Sequence, residues 1–332
     1  MNVDPTENHK QSPGTQSSHP ALHKASPLDE TRLPAHRAQS IDYGDGTIAI
    51  MRSFYADFVK PMNALSQKFA VTSLGNVEYG PHQYPLYQVE AISDPALPFV
   101  RLSGLVHGDE EAGGKALLEF LRDGIDNYVR DFNFIVNPCV NPSGYETATL
   151  QAMNGYHPQY RTDKNTGNIN RRFGGPMHQQ EALLLEEALR SGPKRYLVAM
   201  DLHESPPYYQ DEVYSPADAP KEAWLYESAR TPDLRIGRYL TDTLPAHIEA
   251  CKWDTIYSDT SDHGVIAFSS DSTKHAEYTE NSSLDGYVFE RYTDHSFTFE
   301  TPTGWKLEKR IEAQLHFVRT VLNVYRDRLK NR

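Results

Sequence analysis

The sequence predicts an α/β fold: an α/β/α sandwich in which helices flank a mixed, mostly parallel, twisted sheet. Two observations support this prediction. Short apolar runs typical of strands alternate with longer segments whose apolar residues recur at helical spacing. Chemically useful residues also stand at the ends of several runs, namely His107, the Asn141–Tyr145 turn, His203 and Glu300. Because ligands collect at the carboxyl ends of strands in such folds, a candidate site is expected at that edge of the sheet.

The predicted elements cover most of the chain. Apolar runs predict strands over 70–74, 86–92, 99–106, 132–140, 195–202 and 296–300. Helical spacing predicts helices over 48–69, after residue 110, over 181–189, within 223–251 and over 306–329. Pro61 is expected to kink or split the first helix, since proline has no N–H for the helical ladder. The long polar and aromatic segment 146–177 is expected to be a functional loop.

Composition indicates the domain organisation. The chain has 332 residues, of which 38% are hydrophobic, and this is enough for a sizeable core. Residues 1–42 are polar and punctuated by prolines, so they cannot bury enough apolar surface to offset the entropy of ordering. We therefore expect a disordered N-terminal tail over 1–42 and one domain over 43–332.

The net charge argues against some classes of partner. The 45 Asp and Glu residues exceed the 33 Lys and Arg residues, for a formal charge of −12. Nucleic acid and anionic membranes attract basic surfaces, so neither is expected as a partner. No run approaches the roughly 18 consecutive apolar residues of a transmembrane helix, and the first residues lack a stretch of signal-peptide type. With only Cys139 and Cys251 as cysteines, a cytoplasmic protein is expected. The sequence indicates no oligomeric state.

A metal-ligand pattern follows the run that begins at Phe99. His107 and Glu110 are three residues apart, and Gly108 between them allows the backbone to turn sharply. The same spacing occurs at His178 and Glu181, which we expect at the surface because no strand precedes them. A catalytic zinc site takes three protein ligands. His203, at the end of another apolar run, is the leading candidate for the third.

Metal-assisted amide hydrolysis also needs a general base and donors for the oxyanion. Glu300 ends the short run Phe297–Glu300, and strand alternation puts its side chain on the same face as that of Thr298. Arginines in the long loop could stabilise the oxyanion or bind a substrate carboxylate, namely Arg161, Arg171 and Arg172. A salt-bridged structural role for Glu300 and solvated loop arginines remain the alternatives.

These motifs, in this order, resemble those of the zinc carboxypeptidase family, the funnelin-type metallopeptidases. The resemblance rests on His107–Glu110, Asn141–Tyr145, the segment Asn168–Phe173, His203, and Phe297–Glu300 with Thr303 and Gly304 after it. It covers about residues 70–330, and it implies that 43–332 is a single zinc-peptidase catalytic domain.

The resemblance also implies roles for individual residues. It implies that His107, Glu110 and His203 bind one zinc ion per chain, and that Glu300 is the general base and then the acid. Arg161 matches the oxyanion-stabilising arginine. Asn170 and Arg171 match the pair that holds the free carboxylate of a peptide or small amide substrate. Tyr278 matches the mobile tyrosine that binds substrate, with Tyr287 as its rival.

Two departures keep alternatives open. Asn168 replaces an Asp that usually accepts a hydrogen bond from the first zinc histidine in this family. The segment Asp201–Ser205 puts a carboxylate after the third ligand, as in the related succinylglutamate desuccinylase and aspartoacylase branch. A metallocarboxypeptidase is therefore the main prediction. A zinc-dependent deacylase of N-acyl amino acids and a noncatalytic zinc-binding homologue are the alternatives, whereas a serine hydrolase lacks a Gly-x-Ser-x-Gly motif.

Overall fold

The computed structural model describes residues 40–42, 48–50, 52–79, 82–146, 162–163, 167–175, 179–205, 220–268 and 282–331. Its α-helices are α1 (Lys60–Leu65), α2 (Glu111–Glu119), α3 (Gln180–Ser191), α4 (Gly237–Asp242), α5 (Leu284–Tyr292) and α6 (Leu307–Lys330). Its first strands are β1 (Ser40–Asp42), β2 (Ile48–Ile50), β3 (Ala70–Tyr79), β4 (His82–Ala91), β5 (Phe99–Gly104), β6 (Asn133–Asn137), β7 (Thr162–Asp163) and β8 (Gly167–Asn168). The later strands are β9 (Val198–Ser205), β10 (Trp224–Ala229), β11 (Thr255–Ile256), β12 (Asp259–Thr260), β13 (Val265–Phe268) and β14 (His295–Pro302).

Among the described residues, eight strands form one mixed sheet in the order β13-β10-β14-β9-β5-β6-β4-β3. The pairs β13–β10, β14–β9, β9–β5 and β5–β6 are parallel. The pairs β10–β14, β6–β4 and β4–β3 are antiparallel. The predicted mixed, mostly parallel sheet is thus confirmed, and its central strands β5, β9 and β14 run in the same direction.

Helices cover both faces of this sheet, as the predicted sandwich requires. Helices α2 and α6 pack on one face, over a core that includes Leu102, Leu202 and Phe299. Helices α3 and α5 pack on the other face, over a second core that includes Leu185 and Val288. The central strands are covered on both sides, which explains why they have near-continuous apolar sequences.

The predicted strands and helices are largely confirmed in the middle and at the end of the chain, with two differences. The segment 223–251 is not mainly helical: it begins with strand β10, and its one α-helix is the short α4. Tertiary pairing decided this, because β10 lies between β13 and β14 and its aromatic residues Trp224 and Tyr226 pack on the sheet. Strand β13 was also not predicted.

The predicted helix over 48–69 is wrong at its start. Residues 48–50 form β2, which pairs antiparallel with β1. Helical structure begins with a π-helical turn, Tyr55–Val59, and continues as α1. The hydrogen bonding changes from π-helical to α-helical at Lys60, and Pro61, which has no N–H, lies in the first turn of α1.

Part of the sequence-based prediction concerns residues that the structure does not describe. Residues 1–39 of the predicted tail lie outside the described residues. The limit at residue 42 stays a prediction, although Ser40–Asp42 is a strand. Among the described residues, no helix is both long enough and apolar enough to cross a bilayer.

Candidate metal centre and active site

The loop after β5 carries the first two candidate metal ligands. The chain leaves β5 through Leu105, which is fully buried and has a left-handed backbone conformation with φ 57°. Such a conformation is unfavourable for leucine, so the surrounding structure must hold it. The carbonyl of Leu105 accepts a hydrogen bond from the N–H of Asn141 at 3.0 Å, and that of Gly104 accepts one from Val140 at 3.1 Å. The turn after β6 therefore fixes the direction in which His107 leaves the sheet.

Three ligand atoms converge at the end of this loop. The Nδ1 atom of His107 lies 2.8 Å from Glu110 Oε1, and the Nδ1 atom of His203 lies 2.8 Å from Glu110 Oε2. The three residues are buried, and their donor atoms all lie within 4.8 Å of one another. The structure thus brings together the three residues that the sequence analysis selected as ligands.

The other ring nitrogen of each histidine has its own acceptor. His107 Nε2 lies 3.1 Å from Asn168 Oδ1, and His203 Nε2 lies 3.0 Å from Asp201 Oδ2. Since these oxygens accept hydrogen bonds, the proton of each neutral imidazole belongs on Nε2. The Nδ1 lone pairs then point at the Glu110 carboxylate, and either a proton or a metal ion between these atoms would remove the repulsion. Two imidazoles and a carboxylate suit a divalent metal ion, so the residues present fit one.

The charges around these residues explain their shifted protonation equilibria. Burial raises the pKa of Glu110, but the positive charges that His107 and His203 can carry outweigh it and hold this pKa well below its usual range. Burial lowers the pKa of His203, but the carboxylates of Asp201 and Glu110 outweigh it and hold this pKa well above its usual range. Two buried carboxylates thus favour positive charge at this position, which a metal ion would supply.

Glu300 lies beside His203. Strands β14 and β9 are parallel, and Glu300 is the register partner of His203, so both side chains are on the same face of the sheet. Ser205 Oγ lies 3.2 Å from Glu300 Oε2 and also accepts a hydrogen bond from Trp224 Nε1 at 2.8 Å. The strands continue three and two residues beyond their predicted ends, to Ser205 and Pro302, so sheet hydrogen bonds continue past His203 and Glu300.

Asn170 and Arg171 lie in a 3₁₀ turn, Ile169–Arg171, after β8. The side-chain oxygen of Asn170 accepts a hydrogen bond from the N–H of Leu284 at 2.9 Å, which fixes the orientation of its amide. The amide nitrogen of Asn170 is thereby oriented as a donor on the opposite side. Arg171 is exposed, and its Nη1 donates to the Asn170 carbonyl at 2.6 Å. The pair therefore has the donors that bind a carboxylate.

Arg161 and Tyr278 lie outside the described residues, so their roles stay predictions. Tyr287, the rival for the mobile tyrosine, is buried in α5 between aromatic neighbours, and the Arg291 guanidinium stacks on its ring at 4.2 Å. This packing argues against a mobile Tyr287. The expectation that Glu181 is at the surface is wrong, because the first turn of α3 packs against the second core and leaves Glu181 only 1% exposed.

Sequence reasoning missed several buried polar residues next to the ligands. Asp201 was noted, but not as a partner of His203, although a two-residue spacing on a strand puts both side chains on one face. Ser205 was also missed. Glu204 was noted as the carboxylate after the third ligand, but not as a buried residue, and burial raises its pKa to about 7. Asp285, in the first turn of α5, is a fourth case. Its pKa is raised to about 7, first by burial and then by the charge of Asp201. Only strand alternation around His203 could have indicated that Asp201 and Ser205 lie on the same face of the sheet as this ligand.

Comparison with solved structures identifies the fold. A protein of Shewanella amazonensis assigned as a metallopeptidase superposes with a TM-score of 0.60 at 22% identity, over 82% of this chain and 91% of that one. A metallo-carboxypeptidase from Burkholderia cenocepacia superposes with a TM-score of 0.52 at 15% identity, over 80% and 68% of the two chains. For carboxypeptidase A from Helicoverpa armigera the TM-score is 0.53 at 13% identity, over 82% and 74%. The chain has the metallocarboxypeptidase fold.

Sequence comparison agrees over a shorter stretch. The chain is 29% identical over 136 residues to the catalytic chain of human carboxypeptidase N, which covers 32% of this chain and 29% of that protein. No protein-family profile matches the chain. The similarity to metallocarboxypeptidases therefore rests mainly on the fold, and it agrees with the resemblance that the sequence motifs indicated.

Proposed function

We propose that this protein is a zinc-dependent metallocarboxypeptidase that hydrolyses the C-terminal amide bond of a peptide or small peptide-like substrate. The observation that carries the proposal is the convergence of His107, Glu110 and His203, with Glu300 in register beside the last of these. Two histidines and a glutamate are a ligand set of catalytic zinc sites. A single catalytic domain over 43–332 and a cytoplasmic location are part of this proposal.

In the proposed mechanism, each residue of the site has a separate role in the hydrolysis. When bound, a zinc ion would polarise the scissile carbonyl and lower the pKa of a water molecule. Glu300 accepts the proton of that water and then delivers it to the leaving amine. The Ser205 hydroxyl donates a hydrogen bond to Glu300 Oε2 at 3.2 Å, which restrains the orientation of this carboxylate. Placing Glu300 on a paired strand keeps the base rigid relative to His203.

The polar residues that follow β8 position the substrate. Arg171 and the amide of Asn170 hold the free carboxylate, because their donors suit its two oxygens. Arg161 is proposed to stabilise the negative charge that develops on the carbonyl oxygen, and Tyr278 to contact the substrate. The roles of Arg161 and Tyr278 rest on the sequence motifs alone.

The decisive variant is Glu300→Gln. It removes the base but keeps the size of the side chain, so we expect kcat to fall by about 10²–10⁴-fold while zinc stoichiometry and melting temperature stay unchanged. The matched control is Glu187→Gln, which neutralises an exposed carboxylate on α3 and should retain full activity. Full activity of Glu300→Gln would refute the role proposed for Glu300.

The substrate class needs a separate assay. Peptides with a free C-terminus, peptides with an amidated C-terminus and N-acyl amino acids should be tested on the same zinc-loaded sample. The proposal expects cleavage of the free peptides and little cleavage of the amidated ones, since Arg171 and Asn170 would lose their carboxylate partner. Cleavage of N-acyl amino acids alone would favour the deacylase, and the absence of both zinc binding and activity would favour the noncatalytic homologue.

A further inference from the structure

The two histidines of the candidate metal centre have unequal partners. His107 Nε2 faces the side-chain oxygen of Asn168, which is neutral and which also accepts a hydrogen bond from the N–H of Asn170 at 2.9 Å. His203 Nε2 faces Asp201 Oδ2, which belongs to a carboxylate. Of these two contacts of an Nε2 atom, the one made by His203 is therefore with a carboxylate and the one made by His107 is with a neutral amide.

Asp201 is itself held in place. The hydroxyl of Ser103, on the neighbouring strand β5, donates to Asp201 Oδ1 at 2.7 Å, and the two residues are register partners in the parallel sheet. Both side chains are 3% exposed, so water competes little with either hydrogen bond. A continuous hydrogen-bonded series therefore runs from Ser103 through Asp201 to His203, along two adjacent central strands.

We propose that Asp201, oriented by Ser103, is the positioning residue of the metal centre, and that metal affinity depends on the carboxylate of Asp201. The inference rests on the metal site of the proposed function. A carboxylate on Nε2 fixes the proton there, leaves Nδ1 as the ligand atom and makes the imidazole a stronger donor. Asn168 can fix the tautomer of His107, but it brings no charge.

The substitution Asp201→Asn would remove both the fixed position of the proton on Nε2 and the negative charge that strengthens the imidazole as a donor, at nearly constant side-chain volume. Its amide could still accept from His203 Nε2 through oxygen, or it could rotate and present NH₂ to that nitrogen. The Ser103 hydroxyl can donate or accept, so it would not select between these orientations. The variant would thus lose the negative charge and the fixed tautomer together.

The test measures the binding of zinc alone to the full chain, by competition with a chromophoric chelator. Asp201→Asn should weaken zinc affinity about 10–100-fold, and Ser103→Ala should weaken it by a smaller factor. Cobalt-substituted Asp201→Asn should show an altered visible spectrum, which a purely structural role would leave unchanged. The control Asp242→Asn removes an exposed carboxylate on α4 and should bind zinc like the wild type.

A charge-exchange variant makes the test specific. Asn168→Asp keeps the acceptor that Asn170 requires, so it should fold, and combined with Asp201→Asn it should recover part of the lost affinity by placing the carboxylate beside His107. Wild-type affinity in Asp201→Asn, or no recovery in the double variant, would overturn the inference and leave the proposed function intact. A wild-type protein that binds no zinc would overturn both.

Discussion

Gly108 shows how narrowly the backbone constrains the candidate metal loop. A Cβ atom at this position would lie 2.0 Å from the carbonyl carbon of Gly144 and 2.3 Å from its oxygen. Both neighbours are backbone atoms, so no side-chain rotation can relieve the overlap. The loop between His107 and Glu110 thus lies directly against the turn that follows β6.

We therefore predict that Gly108→Ala disrupts both folding and metal binding. Overpacking against backbone should cost about 3 kcal/mol of unfolding free energy, and the displaced loop should separate the two ligands it carries. Urea denaturation and zinc titration measure the two effects. Gly304→Ala is the matched control, because a Cβ at Gly304 meets no atom within 4 Å. Equal stability of the two variants would contradict the prediction.

At the scale of elements, the long helix α6 contacts β9, the strand that carries His203, through a buried ion pair. Arg310 Nη1 lies 2.7 Å from Glu204 Oε1, and the other oxygen of Glu204 accepts a hydrogen bond from the N–H of Ala112 in the first turn of α2. Glu204 follows His203 on β9. One carboxylate thus joins two helices to the strand that carries a candidate ligand.

Arg310→Met should destabilise the protein by about 3–5 kcal/mol, because it leaves the buried Glu204 without its cationic partner. Adding Glu204→Gln to this variant should recover much of the loss, since an uncharged side chain is less costly to bury. Chemical denaturation of the single and double variants measures both effects. The exposed Lys330→Met on the same helix is the control and should change stability by less than about 0.5 kcal/mol. A double variant no more stable than Arg310→Met would contradict this account.

At the scale of the whole molecule, a buried network joins β10, β14, α4 and α6 away from the candidate site. His295 Nε2 lies 2.9 Å from Glu227 Oε1, and His295 Nδ1 lies 2.6 Å from the hydroxyl of Tyr325. Glu227 also accepts from the N–H groups of Ile236 and Gly237 at the start of α4. The network has its complete set of hydrogen bonds when His295 is neutral and Glu227 is ionised.

This network should make the fold sensitive to acid. Burial lowers the pKa of His295 despite Glu227, and the nearby Arg235 and Arg328 act in the same direction as burial. Burial raises the pKa of Glu227, but hydrogen bonds from His295 and the start of α4 outweigh it and lower this pKa. Both groups bind protons more readily when unfolded, so stability should fall as the pH drops below the ordinary histidine pKa of about 6.5 and continue to fall below about 4.5.

The corresponding variant is His295→Gln, which can keep both hydrogen bonds but does not titrate. We expect a lower melting temperature at pH 8 and a smaller further decrease between pH 7 and pH 5 than in the wild type. Melting curves across this range test the prediction. His247→Gln, at an exposed histidine that pairs with Glu312, should keep the wild-type slope. A wild-type slope in His295→Gln would show that other groups cause the acid sensitivity.

Much of the architecture could be predicted because strand and helix periodicity are local properties. The strands β5, β6, β9 and β14 and the helix α6 were predicted from such patterns. Strand β10 was not, since its preference for strand structure comes from its neighbours β13 and β14. Strand β2 was taken for the start of a helix because Ile48 and Ile50 also fit the apolar pattern of the helix that follows.

The sequence by itself determined which apolar runs form the central strands. It also determined the candidates His107, Glu110, His203 and Glu300, because residue type and spacing are local properties of the sequence. Only the tertiary structure decided that the carboxylate of Asp201 lies beside a ligand histidine, His203. Strand register brought Ser103 and Asp201 together from 98 residues apart. Contacts of that kind depend on which strands are neighbours, and no local pattern in the sequence specifies this.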